Sequence, residues 1–441
     1  MALRNMLKQP ASITSAMHAH TLPLMTPPII RATVFVAFVS GMLHGTATAQ
    51  DTIRVKSTAA PLWGPNVKLT VAQEIGRADG PDEYSFGSIG AVTFDKRGRL
   101  YVYDSQDKKL RAYDASGKFM RTIGRSGAGP GEYEDVTTLK FTDDTVLVIR
   151  DAELSRVSFF YPNGKLRGSF NNPGLSKVGF KDFTVDREGL TTFSTRRSDP
   201  ALAQGARALD RLRYNQLMRV RSNGTLVDSM NIPTALPYDD ATMFMIASWG
   251  AGNNFVAQSS YAALNSGGFV AGDGDKLRFM IRPAKGSVRI VERAWTPAPL
   301  GREERANWLE FAAYMKTRPQ GVGGSGKPRD FQIPSTKPAF KDIFTDEDSR
   351  IWVSVWAPAH KVELPPRPGS STATNPRLVW RQSETYEVFS DKGEYLGRVV
   401  MPDGMWAGNS RGNRMWTIGT GPNDEEIIRV YTMSGSAALK Q

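Results

Sequence analysis

Residues 100–133 read LYVYDSQDKKLRAYDASGKFMRTIGRSGAGPGEY, and this stretch sets the pattern of the whole chain. Runs with apolar side chains at alternate positions lie on both sides of Gly117. Glycine adopts a positive φ without steric cost, so a glycine between two such runs is typical of a β-hairpin turn. A second polar turn lies upstream, in VTFDKRGRLYVYD. We therefore predict two hairpins, and so four strands, for this unit.

The same unit recurs along the chain. Turns of the same kind carry glycines at six places: Gly117, Gly164, Gly224, Gly286, Gly393 and Gly435. An inner hairpin precedes each, and in the fourth unit we assign it to MIASWGAGNNFVAQS. The first two glycines are 47 residues apart (164 less 117), which fits the period of a propeller blade, roughly 40 to 50 residues. The repeats predict an all-β fold, a six-bladed β-propeller.

The ends of the propeller predict how the ring closes. Only residues 436–441 follow the last turn glycine, and we assign this short segment to a C-terminal tail. Val67–Gly76 reads VKLTVAQEIG and resembles the outermost strand of the next unit. We predict that the propeller spans residues 67–435 and that this N-terminal strand completes the sixth blade, because an unpaired sheet edge would otherwise be exposed. Residues 50–66 are expected to be a flexible N-terminal segment.

Residues 1–49 have the pattern of a secretory signal peptide. Arg4, Lys8 and Arg31 precede the apolar run ATVFVAFVSGML, and a small-residue cleavage site, Ala47-Thr48-Ala49, follows it. The apolar run is too short to span a membrane as a helix. A disordered tail or a membrane anchor is the alternative. Because the basic lead-in is long, Met17 and Met25 are alternative translation starts. We predict an exported protein, periplasmic or extracellular, without a transmembrane helix in its mature chain.

Composition limits what the mature chain could be. The whole chain carries a net charge of +12, and removing three basic residues with the signal segment leaves +9. These charges are spread along the chain, which favours a solvated surface and leaves adhesion to anionic envelope polymers as a weaker interpretation. With no cysteine, neither a disulfide nor a lipid-modified cysteine can form. A chain of this length can bury its core without covalent links.

The insertions predict where a binding site would lie. In a propeller the turns within hairpins lie on one face, and the other connections lie on the opposite face. The long connections of this chain, including residues 296–338, all belong to that second face. We predict a helix at Leu300–Lys316, where Trp308 and Phe311 belong to an apolar stripe that packs on the propeller itself. We expect a site on this loop-rich rim, because loops on rigid scaffolds often carry function. Loops without a function are the alternative.

Few motifs indicate chemistry. Once the signal segment is removed, His360 is the one histidine left, which argues against a zinc centre. GVGGSGKP, residues 321–328, has the spacing of a phosphate-binding loop, but Pro328 stands where Ser or Thr should hold magnesium. We interpret it as a linker. AGDGDKL, around Asp273 and Asp275, is a fragment of a calcium-loop pattern. We predict no cofactor, with calcium as the one ion left open.

Five residues are candidates for ligand binding on the loop-rich rim: Asp104, Arg150, Asp151, Arg196 and His360. Asp104 and Asp151 each follow the second strand of a unit, where we expect a local role in accepting backbone hydrogen bonds, with calcium binding by carboxylates and carbonyls as the functional alternative. The arginines could hold an anionic ligand, or could simply be solvated. His360 lies in a Pro-rich loop, where a surface histidine is the alternative to a base. We predict no catalytic residue and no metal ligand.

The stretch Leu100–Tyr133 resembles an NHL-type repeat, and the chain is similar to exported bacterial six-bladed propellers of the NHL-repeat or TolB-like superfamily. The resemblance implies a binding protein for proteins, peptides, glycans or nucleic acid, or, in a minority of members, an enzyme such as a lactonase or an amidating lyase. The metal-binding histidines of the amidating lyases are absent, and we match no Glu/Asn/Asp set of the calcium lactonases.

We therefore predict a non-catalytic propeller of the cell envelope or secreted fraction that binds a protein, peptide or glycan ligand on its loop-rich rim. No nucleic-acid partner is expected, and we predict a monomer. The alternative is a calcium-assisted lactonase or related hydrolase with its site in the central channel. Carboxylates and amides converging at the mouth of that channel would favour the enzyme, whereas an apolar plug would argue against it.

Overall fold

A computed structural model of the chain describes residues 52–65, 67–142, 146–172, 183–186, 188–198, 213–233, 235–240, 242–243, 255–317, 333–366, 376–435 and 439. Its strands form six four-stranded antiparallel blades, numbered here in chain order. Each blade begins with its innermost strand, at the central channel. First strands of neighbouring blades lie side by side between blades 1 and 2, 2 and 3, 4 and 5, and 6 and 1. The first strand of blade 4 lies beside the second strand of blade 3, and a buried cluster joins blades 5 and 6, so the blades follow one another around a ring.

The first three blades are regular in strand order. Blade 1 consists of Ile89–Phe94, Leu100–Asp104, Lys109–Tyr113 and Phe119–Ile123. Blade 2 consists of Val136–Thr142, Val146–Asp151, Arg156–Phe160 and Leu166–Asn171. Blade 3 consists of Phe183–Val185, Thr191–Ser198, Arg213–Val220 and Leu226–Asn231.

The other three blades complete the ring. Blade 4 consists of Ser260–Ala263, Gly268–Gly272, Arg278–Pro283 and Val288–Glu292. Blade 5 consists of Phe340–Thr345, Ile351–Val355, Thr385–Phe389 and Tyr395–Val400. Blade 6 consists of Asn409–Arg411, Arg414–Thr420 and Glu426–Ser434, with strand β2, Lys68–Ile75, as its fourth strand.

Closure by the N-terminal strand is confirmed. Strand β2 pairs antiparallel with Glu426–Ser434, from Lys68 opposite Ser434 to Ile75 opposite Ile428. The hydrophobic core shows the same closure, because one buried cluster lies at each of the six interfaces between neighbouring blades, including the one that joins blade 6 to blade 1. Burial of apolar surface therefore holds the ring together at every interface.

The segment that precedes β2 differs from the flexible one expected from the sequence. Strand β1, Thr52–Lys56, adds to the outer edge of blade 4 and runs parallel to Val288–Glu292. Further along, the amide of Trp63 donates to the carbonyl of Leu396 over 2.7 Å, and the indole is buried between blades 5 and 6. The segment is ordered because it pairs with one open blade edge and buries a large aromatic side chain.

The inner hairpin of blade 4 also differs from its sequence assignment. Its strands are Ser260–Ala263 and Gly268–Gly272, further along the chain than the predicted stretch. Most of that stretch, residues 245–254, lies outside the described residues. The pattern misled because the real hairpin, SYAALNSGGFVAG, is rich in small residues and has weak polar alternation. Asn265, in the turn of this hairpin, lies at the end of the central channel.

The two faces of the ring are distinct. The short-turn face carries the turns from first to second strand and from third to fourth strand, whereas the insertion face carries all other connections. On the insertion face, helix α1, Arg302–Thr317, confirms the predicted helix. Its Trp308 packs on Phe255 with ring centroids 5.2 Å apart, and Phe255 packs on Trp356 of blade 5 at the same distance.

Outside the blades, the described residues form three short strand pairs and one short helix. The pairs are Arg125–Ser126 with Glu132–Tyr133, Ala235–Leu236 with Thr242–Met243, and His360–Lys361 with Trp380–Arg381, and the helix is Asp82–Tyr84. The described part of the chain has no helix that is both long and apolar enough to cross a membrane.

Candidate functional site

Asp104 fixes the start of blade 1. Its buried carboxylate accepts hydrogen bonds from the amides of Gly87, Ser88, Gln106 and Asp107 over 3.1–3.2 Å, and from the guanidinium of Arg111 over 3.1 Å. Burial alone would raise the pKa of Asp104, but these hydrogen bonds outweigh it and lower the pKa. The contacts match the local role expected from the sequence.

Asp151 and Arg150 occupy the corresponding place in blade 2. The carboxylate of Asp151 accepts from the amides of Glu134 (2.7 Å) and Leu154 (2.9 Å), again across the connection that enters the blade. The Nη1 atom of the buried Arg150 donates to Oγ1 of Thr137 over 2.7 Å. Both side chains therefore contribute to the internal structure of blade 2.

The other two predicted residues lie elsewhere. His360 is half-exposed on the insertion face, and its Nε2 atom lies 3.3 Å from a carboxylate oxygen of Asp403. Arg196 belongs to the second strand of blade 3, opposite Asn215, and its side chain lies outside the described residues. Among the described contacts, none joins one of the five to another apart from the chain neighbours Arg150 and Asp151. As ligand-binding residues, the five stay a prediction.

A repeated aspartate shapes the inner turns of the short-turn face. In blade 1 the carboxylate of Asp95 accepts from the amides two and four residues further on, over 3.0 and 2.9 Å. Asp186 in blade 3 and Asp346 in blade 5 make the same pair of bonds. A side chain that bonds its own turn in this way fixes the turn's conformation. The residues that follow each aspartate are therefore held in place at the end of the channel.

These inner turns surround a cavity of about 230 Å³, the channel-mouth pocket. Every blade contributes to its wall, with the following residues: Lys96, Phe141, Val185, Asp186, Asn265, Glu347, Asp348, Ser349 and Arg411. A larger hollow of about 360 Å³ lies between blades 1 and 2, and its described lining residues come from those two blades alone. Convergence of the whole ring makes the channel-mouth pocket the better candidate.

Glu347 is the centre of the pocket. Its Oε1 atom accepts from Nζ of Lys140 (2.9 Å) and Nδ2 of Asn409 (3.0 Å), and its Oε2 atom lies 3.7 Å from Nη2 of Arg411. Its amide donates to the carbonyl of Ser410, and its own carbonyl accepts from Asn265. One residue of blade 5 is thus held by side chains or backbone from blades 2, 4 and 6.

The Lys140–Glu347 ion pair crosses the channel. Blades 2 and 5 stand opposite each other in a ring of six, and the two side chains are only 9% and 4% exposed. Buried ion pairs depend on close geometry and further hydrogen bonds, and Asn409 supplies one here. Carboxylates and amides, rather than an apolar plug, therefore close this end of the channel.

Two further features set the blade 5 turn apart. Ser349 has a φ of +65°, where the equivalent positions in blades 1, 3 and 4 are glycines with φ between +71° and +76°. A side chain in this left-handed region is strained, and such strain persists mostly at functional sites. Next to it, burial and the nearby Asp346 raise the pKa of Asp348, although Arg350 opposes the shift. Both residues line the pocket.

The described residues offer no metal site. Within the part of the chain that the structure describes, no three His, Asp or Glu side chains are placed to hold an ion together. Asp273, from the calcium-loop fragment, accepts the amide of Asp275 instead. The carboxylates of the pocket are engaged by cations or by their own turns, as the Arg219 contacts of Asp186 illustrate.

Sequence reasoning missed Glu347, Lys140, Asn409 and Arg411. The blade 5 turn TDEDS carried one signal, a run of three acidic residues. In the related turns of blades 1 and 3 a basic residue follows the aspartate directly. The partners of Glu347 are far away in the chain, up to 207 residues for Lys140. Only closure of the ring brings them together, so no local pattern could identify them.

Comparison with known proteins agrees with this ring. A model of the family described as a "6-bladed beta-propeller" matches residues 79–165. The chain is a six-bladed β-propeller protein. No curated protein matches this propeller in sequence. The finer assignment to the NHL-repeat or TolB-like superfamily stays a prediction.

Several solved structures are similar to the propeller at low identity. A protein from Bacteroides fragilis described as exported is 10% identical, with a TM-score of 0.43 and coverage of 87% of this chain and 99% of its own. A protein from Bacteroides vulgatus is 10% identical, with a TM-score of 0.44 and coverage of 84% and 99%. A catalytically inactive virginiamycin B lyase from Staphylococcus aureus, with quinupristin, is 10% identical, with a TM-score of 0.34 and coverage of 83% and 99%.

Proposed function

We propose that this propeller is an exported, non-catalytic binding protein that takes a small polar ligand into the channel-mouth pocket. The observation that carries the proposal is the convergence of all six blades on one cavity, with Glu347 fixed at its centre by Lys140 and Asn409. Rigid, precisely placed polar groups on an apolar wall are what a binding site for a small molecule requires. Phe141 and Val185 supply that apolar wall.

The site proposed here lies on the short-turn face, opposite the rim favoured by loop length. Binding is favoured over catalysis because the carboxylates of the pocket are stabilised as partners of cations, as in Glu347 with Lys140. His360, the histidine of the mature chain, lies on the insertion face. A general base would have to stand within hydrogen-bond reach of the group that it activates.

Export is part of the proposal and rests on the signal pattern of residues 1–49, with the periplasm or the medium as the destination. We propose that the mature protein acts as a monomer, because each blade interface is satisfied within one ring.

Two other functions have some support. The carboxylates and amides that converge at the channel mouth favour a hydrolase in the channel, and the raised pKa of Asp348 in this cavity is a property that general acids share. The described residues give no calcium site. A protein, peptide or glycan partner on the insertion face is favoured by Trp406, which is 56% exposed. Tryptophan is enriched among the residues that dominate binding interfaces.

The experiment is a thermal-shift panel on the mature wild-type protein with amino acids, monosaccharides, nucleosides and organic acids. We expect at least one compound to raise the Tm in a concentration-dependent way, because a ligand that binds only the folded state stabilises it. The shift should shrink in Lys96→Ala and Asp348→Asn, which alter the pocket, and persist in Lys392→Ala, on an exposed outer turn of the same face. A panel without any shift, or equal shifts in all three variants, would contradict the proposal.

A further inference from the structure

We infer that the hollow between blades 1 and 2 binds an acidic sugar, a pyranose ring that carries one carboxylate. Its described lining residues are Arg99, Arg121, Tyr161, Pro162 and Asn163, and we call it the interblade hollow. The carboxylate would accept hydrogen bonds from the two arginines, and the ring would stack on Tyr161. This site is separate from the channel-mouth pocket and goes beyond the proposed function.

Arg99 is held in place by Asp95 without using up its guanidinium group. The buried carboxylate of Asp95 accepts from Nε of Arg99, which occupies one of the five guanidinium N–H donors. In blade 5 the equivalent Arg350 makes the same Nε contact to its own turn aspartate. It still donates from Nη1 to the carbonyl of Gly412 over 2.7 Å and from Nη2 to Oγ of Ser410 over 3.1 Å. Neither Nη atom of Arg99 makes a hydrogen bond to a described residue, so both can hold an anion while the Asp95 contact persists.

Arg121 supplies the positive charge of the interblade hollow. Its Nη1 atom donates to the carbonyl of Asn163 over 3.3 Å, and no carboxylate of a described residue forms an ion pair with it. Since a carbonyl carries no net charge, the charge of Arg121 is left for an anion. Burial, together with Asp95, raises the pKa of Tyr101 to about 12, and Arg99 and Arg121 both oppose the shift. The two guanidinium groups therefore act on the same buried phenol.

The propeller repeat does not require either arginine. The first two units repeat at an offset of 47 residues, so the equivalent of each residue of blade 1 can be read in blade 2. Val146 stands at the position of Arg99, and Gly168 at that of Arg121 (99 and 121, each plus 47). Both arginines are thus features of this one interface between blades.

Tyr161 also departs from the repeat. Its equivalent in blade 1 is Asp114, whose carboxylate accepts from the amides of Ser116 and Lys118 and stabilises its own turn. Tyr161 makes no such bond and is 41% exposed. Within the described part of the chain, its hydroxyl group has no hydrogen-bond partner and its ring stacks on no other ring or cation. A tyrosine so placed offers the hollow a flat apolar face and a polar tip.

These groups match a sugar better than an aromatic acid. The C–H groups of a pyranose ring pack on an aromatic face, while its hydroxyl groups need donors and acceptors. The hydroxyl of Tyr161 supplies both, and Nδ2 of Asn163 supplies donors, since its Oδ1 accepts from the amide of Lys165 over 3.0 Å. An aromatic acid would leave these groups unmatched. The volume of about 360 Å³ lies within the range of roughly 300–1,000 Å³ for ligand pockets.

The test is calorimetric titration of the mature wild-type protein with D-glucuronate and D-galacturonate. D-glucose and D-galactose are the neutral counterparts, and glucose 6-phosphate is a second anionic sugar. We expect at least one uronate to bind, and its neutral counterpart to bind at least about tenfold more weakly, because it lacks the charge-assisted hydrogen bonds. Equal binding of a uronate and its counterpart, no binding of either uronate, or tighter binding of glucose 6-phosphate would overturn the inference.

Variants locate the site. Arg121→Gln should weaken uronate binding at least about tenfold, whereas Arg167→Gln, an exposed arginine in the fourth strand of blade 2, should not. Tyr161→Ala should also weaken binding, and Tyr161→Phe should restore most of it, because the ring remains. Since all three residues are exposed, the Tm should stay at the wild-type value. Unchanged uronate binding in Arg121→Gln would place the carboxylate elsewhere and refute the inference.

Two further measurements separate the sources of the ligand and the two sites. A trimer of galacturonate that binds more tightly than the free sugar identifies a polysaccharide as the source, and equal binding identifies the free sugar; both results support an acidic-sugar site. If Asp348→Asn abolishes uronate binding and Arg121→Gln does not, the uronate binds in the channel-mouth pocket. In that case this inference falls and the proposed function stands.

Discussion

Each face of this propeller carries a Lys–Glu ion pair, and the two pairs differ in burial and in what they connect. Blade 5 carries a Lys–Glu pair at each end: Lys140–Glu347 at the channel mouth, with side chains 9% and 4% exposed, and Lys341–Glu384 on the insertion face, 21% and 32% exposed. The first pair joins opposite sides of the ring. The second joins the first strand of blade 5 to the residue just before its third strand.

The difference teaches that loop length and site formation are separate properties. The insertion face has the long connections and helix α1, which the described contacts place against the propeller itself through Trp308 and Phe255. The described turns of the short-turn face are tight, and the inner ones meet around the channel mouth. Side chains from all blades can combine only there.

The largest expected effect is that of Glu347→Ala. The change leaves Lys140 buried and uncompensated, so we expect the free energy of unfolding to fall by about 3–5 kcal/mol. The matched change Glu384→Ala, at the more solvated pair, should cost about 1 kcal/mol or less. Urea denaturation of both variants measures the contrast. Equal losses of unfolding free energy in the two variants would contradict the expected difference between the two ion pairs.

A change of intermediate size concerns a buried pair that acts locally. Glu304 of α1 lies 2.8 Å from Nζ of Lys337, and both side chains are buried. In Glu304→Ala we expect helix α1 to undock, so that amides in residues 302–317 exchange hydrogen at least about tenfold faster while the blades keep their protection. Hydrogen exchange read by mass spectrometry tests this. Faster exchange throughout the blades would show that the helix supports the whole ring.

The smallest expected effect is a pH dependence at the pocket. Because the pKa of Asp348 is raised in the folded state, the folded protein binds more protons than the unfolded chain just above the ordinary pKa of 3.8. The contribution of Asp348 to stability is therefore full below that pH and is lost as pH rises through the folded pKa. In Asp348→Asn this decline should disappear. Thermal melts from pH 4 to 7 would reveal it, and identical profiles for variant and wild type would contradict the assignment.

The fold could largely be predicted from the sequence, because the turn glycines and alternating strands are local signals. Closure of blade 6 by β2 was also predictable, since Val67–Gly76 resembles the outermost strand of the next unit. The pairing of strand β1 could not be predicted from a local pattern, because its partner strand begins more than 230 residues further along the chain (288 less 52).

The candidate site was harder to predict for a similar reason. The buried aspartates Asp104 and Asp151 can be recognised in the sequence because each accepts a hydrogen bond from an amide a few residues further along the chain. Glu347 looks like a surface residue of an acidic turn, and its burial depends on Lys140, Asn409 and Arg411 reaching it across the channel. A pattern along the chain cannot reveal side chains that meet only through the symmetry of the closed ring.

The most direct test of the account is a methyl NMR titration of the mature protein with the compound that gives the largest rise in Tm. Val185 lines the channel-mouth pocket, whereas Val256 and Leu309 are exposed on connections of the insertion face. We predict shifts of the Val185 methyl signals, with those of Val256 and Leu309 unchanged. Shifts at Val256 or Leu309 with Val185 unmoved would contradict the central claim that the ligand binds where the six blades meet.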